Sequence, residues 1–263
     1  MSDIITERTG SILRVTVNRP AKKNAMTSAM YIAMAEAFNE AAKDDDVRVV
    51  IWDAAGDSFS AGNDVQDFLN NPPGPGASPQ AMIADALLNL DKPLIAVVKG
   101  AAIGGGTTLL THCDFVFASN SAKFQLPFVN LGLVPEFGSS FSLPARSGYL
   151  RAAELFMLGQ PFDANVALEI GLVTRVVADD VLASTATETA EKLATKPVGA
   201  LRAVKQLLKR SLRDQIEEAV KIEGAEFASR LRSPEVKEVF TAFLEKRPPN
   251  FSKVKEAVTA SKV

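Results

Sequence analysis

The stretch that decides the fold is Lys99–Thr111, KGAAIGGGTTLLT, in which three consecutive glycines precede an apolar helix start. The preceding segment, Pro93–Lys99, is rich in aliphatic and β-branched residues, a pattern that predicts a buried strand. Gly104, Gly105 and Gly106 are poor helix formers, but without a Cβ they let a ligand lie directly against backbone N–H groups. At a helix N-terminus such groups favour a bound anion or an oxyanion that develops during a reaction. A tight turn is the alternative explanation.

Composition narrows the class of protein. The 263 residues are 47% hydrophobic and 23% charged, as in ordinary soluble globular proteins. The net charge of −2 disfavours nucleic acid as the main partner. Cys113 is the single cysteine, which excludes an intramolecular disulfide and fits a reducing compartment. Apolar runs are too short for a membrane span, so we expect no membrane association and a cytoplasmic location, although residues 261–263 (SKV) are similar to the peroxisomal SKL address.

The first hundred residues follow a β-α-β order. Ile12–Val17 alternates as a strand, Thr27 is a candidate N-cap for a helix over Ser28–Lys43, and Val47–Trp52 is again strand-like. This order is typical of a parallel sheet with crossover helices. Two further strands are predicted at Asp114–Ala118 and Leu172–Val177.

No strand pattern follows Leu182. Helices are expected there, interrupted by Pro197 and Pro234. We therefore predict an α/β core over residues 1–196 and a helical region over residues 197–263. The predicted helices cover about 182–195, 198–212, 214–232 and 235–246.

A second loop of small residues, Ala61–Asp64 (AGND), follows the strand at Val47–Trp52. Loops that follow strands in successive βα units emerge at one edge of the sheet and can converge. Two convergent N–H groups, one from this loop and one from Gly104–Gly106, would form an oxyanion hole.

Six stretches carry a family resemblance: NRPAKKNAM at 18–26, FSAGNDVQDF at 59–68, KGAAIGGGTTLLTHCDFVFAS at 99–119, FQLPFVNLGLVP at 124–135, ELFMLGQPFDANVALEIGLVTRVV at 154–177 and FTAFLEKRPPNF at 240–251. In this order and spacing they resemble the crotonase (enoyl-CoA hydratase/isomerase) superfamily over almost the full length. The resemblance implies an α/β fold, a spiral of repeated ββα units with a C-terminal helical trimerisation region. It also implies an acyl-CoA thioester substrate and assembly as a homotrimer or a dimer of trimers.

The resemblance assigns roles to individual residues. Asn63 and Gly105 would donate the two N–H groups to the thioester oxygen. Lys22 and Lys23 would lie near the coenzyme phosphates, with ordinary surface charge as the alternative. No cofactor and no metal are expected, since coenzyme A enters as part of the substrate. The other residues expected to bind substrate or coenzyme A are Ala61, Gly62, Asp64, Val65, Phe68, Gly104, Phe128 and Leu133.

The departures from the family pattern point to one reaction. Relatives that hydrate 2-enoyl-CoA carry two glutamates, and the matching positions here are Thr108 and Phe128. Hydration needs one group to activate water and another to deliver a proton, so these positions disfavour it. The remaining carboxylate is Glu136, whose setting NLGLVPEFGSSFSLP resembles the peroxisomal-type Δ3,Δ2-enoyl-CoA isomerases. One carboxylate can remove a proton from C2 and return it to C4, and apolar neighbours would raise its basicity.

Other interpretations stay open at this stage. Glu136 is alternatively a solvent-facing loop residue. A hydratase, an aryl-CoA isomerase or an aryl-CoA dehalogenase are alternative reactions, and a non-catalytic or RNA-binding protein is an alternative of another class. His112, the only histidine, is interpreted as structural. The cationic run Arg202, Lys205, Lys209 and Arg213 is interpreted as a solvated helix face.

Overall fold

The computed structural model of the protein describes residues 2–70 and 78–254, without the side chains of residues 68–70, 243, 244 and 253. Two predictions therefore concern parts that are not described: the binding role of the Phe68 side chain and the address-like residues 261–263. Within it, no helix combines the length and apolar composition that crossing a membrane requires.

The core is a six-stranded sheet with the order β1-β2-β3-β4-β6-β9. Within this sheet only the β1–β2 pair is antiparallel, and the other neighbouring strands run parallel. A second, three-stranded sheet has the order β5-β7-β8. The described strands are β1 (Ile4–Thr9), β2 (Ile12–Val17), β3 (Val49–Ala54), β4 (Leu94–Val98), β5 (Ala101–Ile103), β6 (Phe115–Ser119), β7 (Lys123–Gln125), β8 (Phe162–Asp163) and β9 (Arg175–Val177).

Helices cover the sheets, and the first one begins and ends as predicted. The Thr27 side chain accepts a hydrogen bond from the Met30 N–H and caps it. The described helices are α1 (Ser28–Lys43), α2 (Val65–Asn70), α3 (Pro79–Asn89), α4 (Gly105–Thr108), α5 (Ser139–Ser147), α6 (Tyr149–Leu158), α7 (Ala164–Glu169), α8 (Leu182–Ala194), α9 (Val198–Lys209), α10 (Arg213–Arg230) and α11 (Pro234–Leu244).

The chain passes repeatedly from the large sheet to the small one. Gly100 makes this turn between β4 and β5 with a φ of +61°, and a Cβ there would lie 1.8 Å from the Asp57 carbonyl oxygen, so only glycine fits. The strand predicted over Pro93–Lys99 is thus followed by a second strand before the glycine triplet. The ββα repetition confirms the predicted spiral fold class.

The helical region is attached to the sheet by a partly buried ion pair. The Lys205 Nζ on α9 donates to Asp114 Oδ2 at 2.6 Å and to the Lys92 carbonyl oxygen at 2.6 Å. Lys205 is only 7% exposed, so its interpretation as part of a solvated face was wrong. Lys205 lies on the side of α9 that faces the core. The boundary between residues 1–196 and 197–263 stays a prediction.

Replacing Lys205 by Met should lower the free energy of unfolding by about 2 kcal/mol, because Asp114 would lose its hydrogen-bonded partner and keep only the more distant Lys209, at 3.9 Å, as counter-charge. The matched control is Lys192→Met, which removes an exposed lysine of α8 and should change stability by less than about 0.5 kcal/mol. Urea unfolding followed by circular dichroism measures both. Equal midpoints for the two variants would contradict the structural role of the pair.

Candidate active site

Two backbone N–H groups converge at the ends of β3 and β5. Around Asn63, the Ala61 N–H donates to the Lys23 carbonyl and the Asp64 N–H to the Met26 carbonyl, at 2.9 and 2.8 Å. The N–H of Asn63 between them donates to no described residue.

The second N–H group opens α4. Gly104 adopts a φ of +53° as its N-cap, and the N–H of Gly105, the first helical residue, donates to no described residue. Gly105 and Asn63 line one cavity of about 150 Å³. Two unpaired donors at its wall are suited to stabilising negative charge on an oxygen.

Glu136 lies close to Gly105, the second of these two donors. It belongs to an irregular segment just before α5 and is 8% exposed. Its Oε1 is buried and has no hydrogen-bond partner among the described residues. That oxygen lies 3.0 Å from the point that a Cβ on Gly105 would occupy. Glu136 is also the only carboxylate among the described residues that line the cavity.

The surroundings make this carboxyl a strong base. Burial raises the pKa of Glu136 to about 8, the charge of Glu223 adds to the effect, and a hydrogen bond from the Asn63 side chain opposes it. Tyr31, fully buried on α1, donates from its hydroxyl to Asn63 Oδ1 at 2.8 Å and so orients that amide. Burial and the charge of Glu136 raise the pKa of Tyr31 well above its usual value, which keeps it neutral.

A strained turn holds Glu136 in this orientation. Phe137 has a φ of +62° and Gly138 a φ of +72°. His112 Nε2 lies 2.8 Å from the Phe137 carbonyl oxygen and donates to it, while the Gly138 N–H donates to Glu223. Burial lowers the pKa of His112 to about 4, so the histidine is a neutral structural donor, in agreement with its interpretation above.

Most of the predicted binding residues are brought together in the cavity. Asp64 is an exception: it pairs with Arg19 at 2.7 Å and does not line the cavity. Lys22 and Lys23 are exposed outside the cavity. The predicted residues that do line it, besides Asn63, Gly105 and Glu136, are Ala61, Gly62, Val65, Gly104, Phe128 and Leu133.

The two positions where hydrating relatives carry glutamates hold no acid or base. Thr108 is buried, and its hydroxyl donates to the Gly104 carbonyl at 3.3 Å. Phe128 is buried and packs against Phe156 with ring centroids 6.3 Å apart. Neither side chain therefore offers an acid or a base to the cavity.

A second, smaller cavity of about 80 Å³ lies on the other side of Glu136. Glu136 and Phe227 line both cavities, so the carboxylate stands between them. The remaining walls of the smaller cavity come from the start of α3, from Phe137 and from α10. They are Ser78, Gln80, Ala81, Phe137, Val220, Gly224 and Ala228.

Sequence reasoning missed the contributions of α1 and α10. Tyr31 follows the apolar periodicity of α1 and is indistinguishable from a core residue. Glu223 lies in a helix with many charged residues, and Phe227 on the same helix looks like an ordinary packing residue. Only the contact of these helices with the Glu136 segment shows their place in the site.

The family follows from this fold and from comparison with known proteins. The family model described as Enoyl-CoA hydratase/isomerase matches residues 7–254. The chain belongs to the enoyl-CoA hydratase/isomerase family, whose resemblance to this sequence was noted above. Membership of this family supports a hydratase or isomerase activity on acyl-CoA substrates.

Individual relatives carry different names. The chain is 34% identical to the 1,2-epoxyphenylacetyl-CoA isomerase of Escherichia coli K12, over 96% of this chain and 99% of the relative. It is 32% identical to enoyl-CoA delta isomerase 2 of Rattus norvegicus, over 93% of this chain and 64% of the relative. Relatives of similar identity are named hydratases.

A solved structure has the same fold. The enoyl-CoA hydratase/isomerase from Pseudoalteromonas atlantica T6c superposes with a TM-score of 0.91 at 39% identity, over 95% of this chain and all of that one. The particular reaction of the present chain has to be argued from its own site.

Replacing Gly105 by Ala should reduce turnover of an enoyl-CoA substrate by about 100-fold, because the added methyl group would displace Glu136 and the substrate from their productive positions. The added methyl group would lie 3.0 Å from both Glu136 Oε1 and the Tyr31 hydroxyl, closer than such atoms pack. The control is Gly199→Ala on α9, where a Cβ meets nothing within 4 Å. Steady-state kinetics on both variants, with unfolding curves, tests this; a Gly105→Ala enzyme as active as Gly199→Ala would contradict the site.

Proposed function

We propose that the protein is a Δ3,Δ2-enoyl-CoA isomerase. The thioester oxygen of a 3-enoyl-CoA accepts hydrogen bonds from the N–H groups of Asn63 and Gly105. Glu136 removes a proton from C2, and the electron pair of that C–H bond delocalises into a dienolate. The same carboxyl then returns the proton to C4, so the double bond moves to C2–C3. The observation that carries the proposal is the buried, unpartnered Glu136 Oε1 beside Gly105.

The electrostatics of the site support both halves of the reaction. A carboxyl with a pKa of about 8 is a much stronger base than an exposed glutamate, and its conjugate acid can still donate at neutral pH. The dienolate carries its charge on the thioester oxygen, which two amide donors at the cavity wall would stabilise. Since Oε1 is shielded from water, the abstracted proton is retained for the second step.

Hydration is less well supported by the same site. Adding water across a double bond needs a second group to hold and activate the water. Glu136 is the only carboxylate among the described residues that line the cavity. Thr108 and Phe128 occupy the positions of the two glutamates of hydrating relatives.

An aryl-CoA isomerase is the second candidate. The similarity to a 1,2-epoxyphenylacetyl-CoA isomerase favours it, as do Phe128, Phe227 and Phe240 in the cavity lining. An aromatic acyl group would find ring-edge and ring-face contacts there.

The remaining features of the proposal concern binding and assembly. We propose that Lys22 and Lys23 contact the coenzyme phosphates, that the reaction uses no cofactor, and that the chain acts in the cytoplasm.

We also propose that the chain assembles as a homotrimer or a dimer of trimers. Leu150 and Leu208, which are 83% and 71% exposed, support burial of α6 and α9 in such an assembly.

Replacing Glu136 by Gln should abolish isomerisation of 3-hexenoyl-CoA, with a loss of about 10²–10⁴-fold in kcat. The amide keeps the shape but cannot take up the proton. The rise in ultraviolet absorbance of the conjugated 2-enoyl thioester measures the reaction. Glu218→Gln, on the exposed face of α10, is the matched control.

The same experiment separates the candidates. 2-Hexenoyl-CoA reports hydration through loss of that absorbance, and 1,2-epoxyphenylacetyl-CoA reports the aryl reaction. Full isomerase activity in Glu136→Gln, or a wild-type enzyme that only hydrates, would reject the proposal.

The rate should also depend on pH in a definite direction. Because the pKa of Glu136 is raised to about 8, the carboxylate form needed to take the C2 proton accumulates only as the pH rises through that value. We therefore expect kcat/KM to increase between pH 6.5 and 8.5 and then to level off. A profile that is flat from pH 6 upward would show that the base titrates at the ordinary pKa of an exposed glutamate.

A further inference from the structure

Glu223 is a buried carboxylate that the reaction above does not use. It lies on α10 and is 5% exposed. Its Oε2 accepts a hydrogen bond from the Gly138 N–H at 2.6 Å, and its Oε1 accepts one from the Ser140 N–H at 2.7 Å. N–H groups at the start of a helix lack intrahelical partners. Glu223 therefore caps α5 with a side chain supplied by a distant helix.

The capped turn is the one that carries Glu136. Phe137 and Gly138, the next two residues, both have left-handed backbone angles. For a bulky residue such as Phe137 this conformation persists only where the surroundings hold it. His112 donates to the Phe137 carbonyl, and Glu223 accepts from the neighbouring Gly138 N–H. Together these contacts keep the turn, and with it Glu136, in a single orientation.

Close packing of α10 leaves this turn little freedom. A Cβ on Gly138 would lie 2.8 Å from Ile216 Cγ2 and 3.3 Å from Val220 Cγ2. Ile216, Val220, Glu223 and Phe227 recur at helical spacing and share one face of α10. That face thus contributes apolar contacts around a single ionisable group.

Glu223 also acts on Glu136 through charge. Its negative charge opposes ionisation of Glu136 and, after burial, is the second cause that raises the pKa of Glu136. Two other titratable groups face this segment among the described residues: Tyr31 is held neutral by its raised pKa, and His112 by a pKa lowered to about 4. Burial raises the pKa of Glu223 itself, and its two backbone donors favour the ionised form.

We propose that Glu223 is a positioning residue for Glu136: it fixes the Phe137–Gly138 turn from α10 and places a second carboxyl group close to the base. The inference rests on the proposed function, because it assigns Glu223 to the base of that reaction. In this proposal α10 influences the base of the reaction in addition to lining the cavity.

The first test needs no turnover. Carboxyl ¹³C NMR of protein labelled at glutamate Cδ, with the Glu136 signal assigned from Glu136→Gln, gives the titration midpoint of Glu136. In Glu223→Gln this midpoint should move to lower pH than in the wild type, whereas Glu218→Gln should leave it unchanged. An unchanged midpoint in Glu223→Gln would overturn the proposal, even if the protein proved not to be an isomerase.

Kinetics then separate positioning from a general loss of structure. Glu223→Gln should lower the plateau kcat for 3-hexenoyl-CoA about tenfold and shift the rising limb of the pH profile to lower pH, with KM almost unchanged because Glu223 does not line the cavity. A merely structural role would reduce the rate without moving the limb.

Glu223→Asp covers the case in which the amide variant does not fold. Aspartate keeps the charge but is one methylene shorter, so it reaches the α5 N–H groups poorly. We expect a lower kcat with a midpoint closer to that of the wild type. Wild-type kcat in a folded Glu223→Asp protein would overturn the proposal.

Discussion

The contact between a buried carboxylate and the start of α4 is the constraint on which the site depends. Glu136 Oε1 is buried, accepts no hydrogen bond within the described part of the chain, and lies close to Gly105, whose missing Cβ leaves the space for it. A buried acceptor without a partner costs stability, and the fold tolerates it by anchoring the flanking turn through His112 and Glu223. The cost falls at the place where the proposed reaction needs a free oxygen for proton transfer.

The local parts of this arrangement could be predicted from the sequence. The strand at Ile12–Val17, the helix at Ser28–Lys43 and its Thr27 cap follow from periodicity and capping preferences, which depend on near neighbours alone. The spiral fold class and the position of Gly105 followed from the family resemblance and the glycine triplet. The assignment of Glu136 follows from the resemblance of its setting to the peroxisomal-type isomerases, together with Thr108 and Phe128 at the positions where that family's hydratases carry glutamates.

The parts that could not be predicted depend on contacts distant in the sequence. Glu223 lies 85 residues from the N–H group of Gly138 that it accepts from, and Lys205 lies 91 residues from Asp114. On an isolated helix each of them resembles a solvated charge, because periodicity does not show which face another element covers. The short strand β5 could not be predicted either, because the three residues after Gly100 are too few to show an alternating pattern.

The central claim is that one shielded carboxylate carries out both proton transfers. Isomerisation of 3-hexenoyl-CoA that bears deuterium at both C2 positions, run in ordinary water and analysed by NMR, tests it most directly. The account predicts that part of the deuterium removed from C2 appears at C4 of the product, since Glu136 Oε1 is out of contact with solvent. Product with no deuterium at C4, even at low conversion, would contradict it, because a second group or bulk water would then deliver the proton.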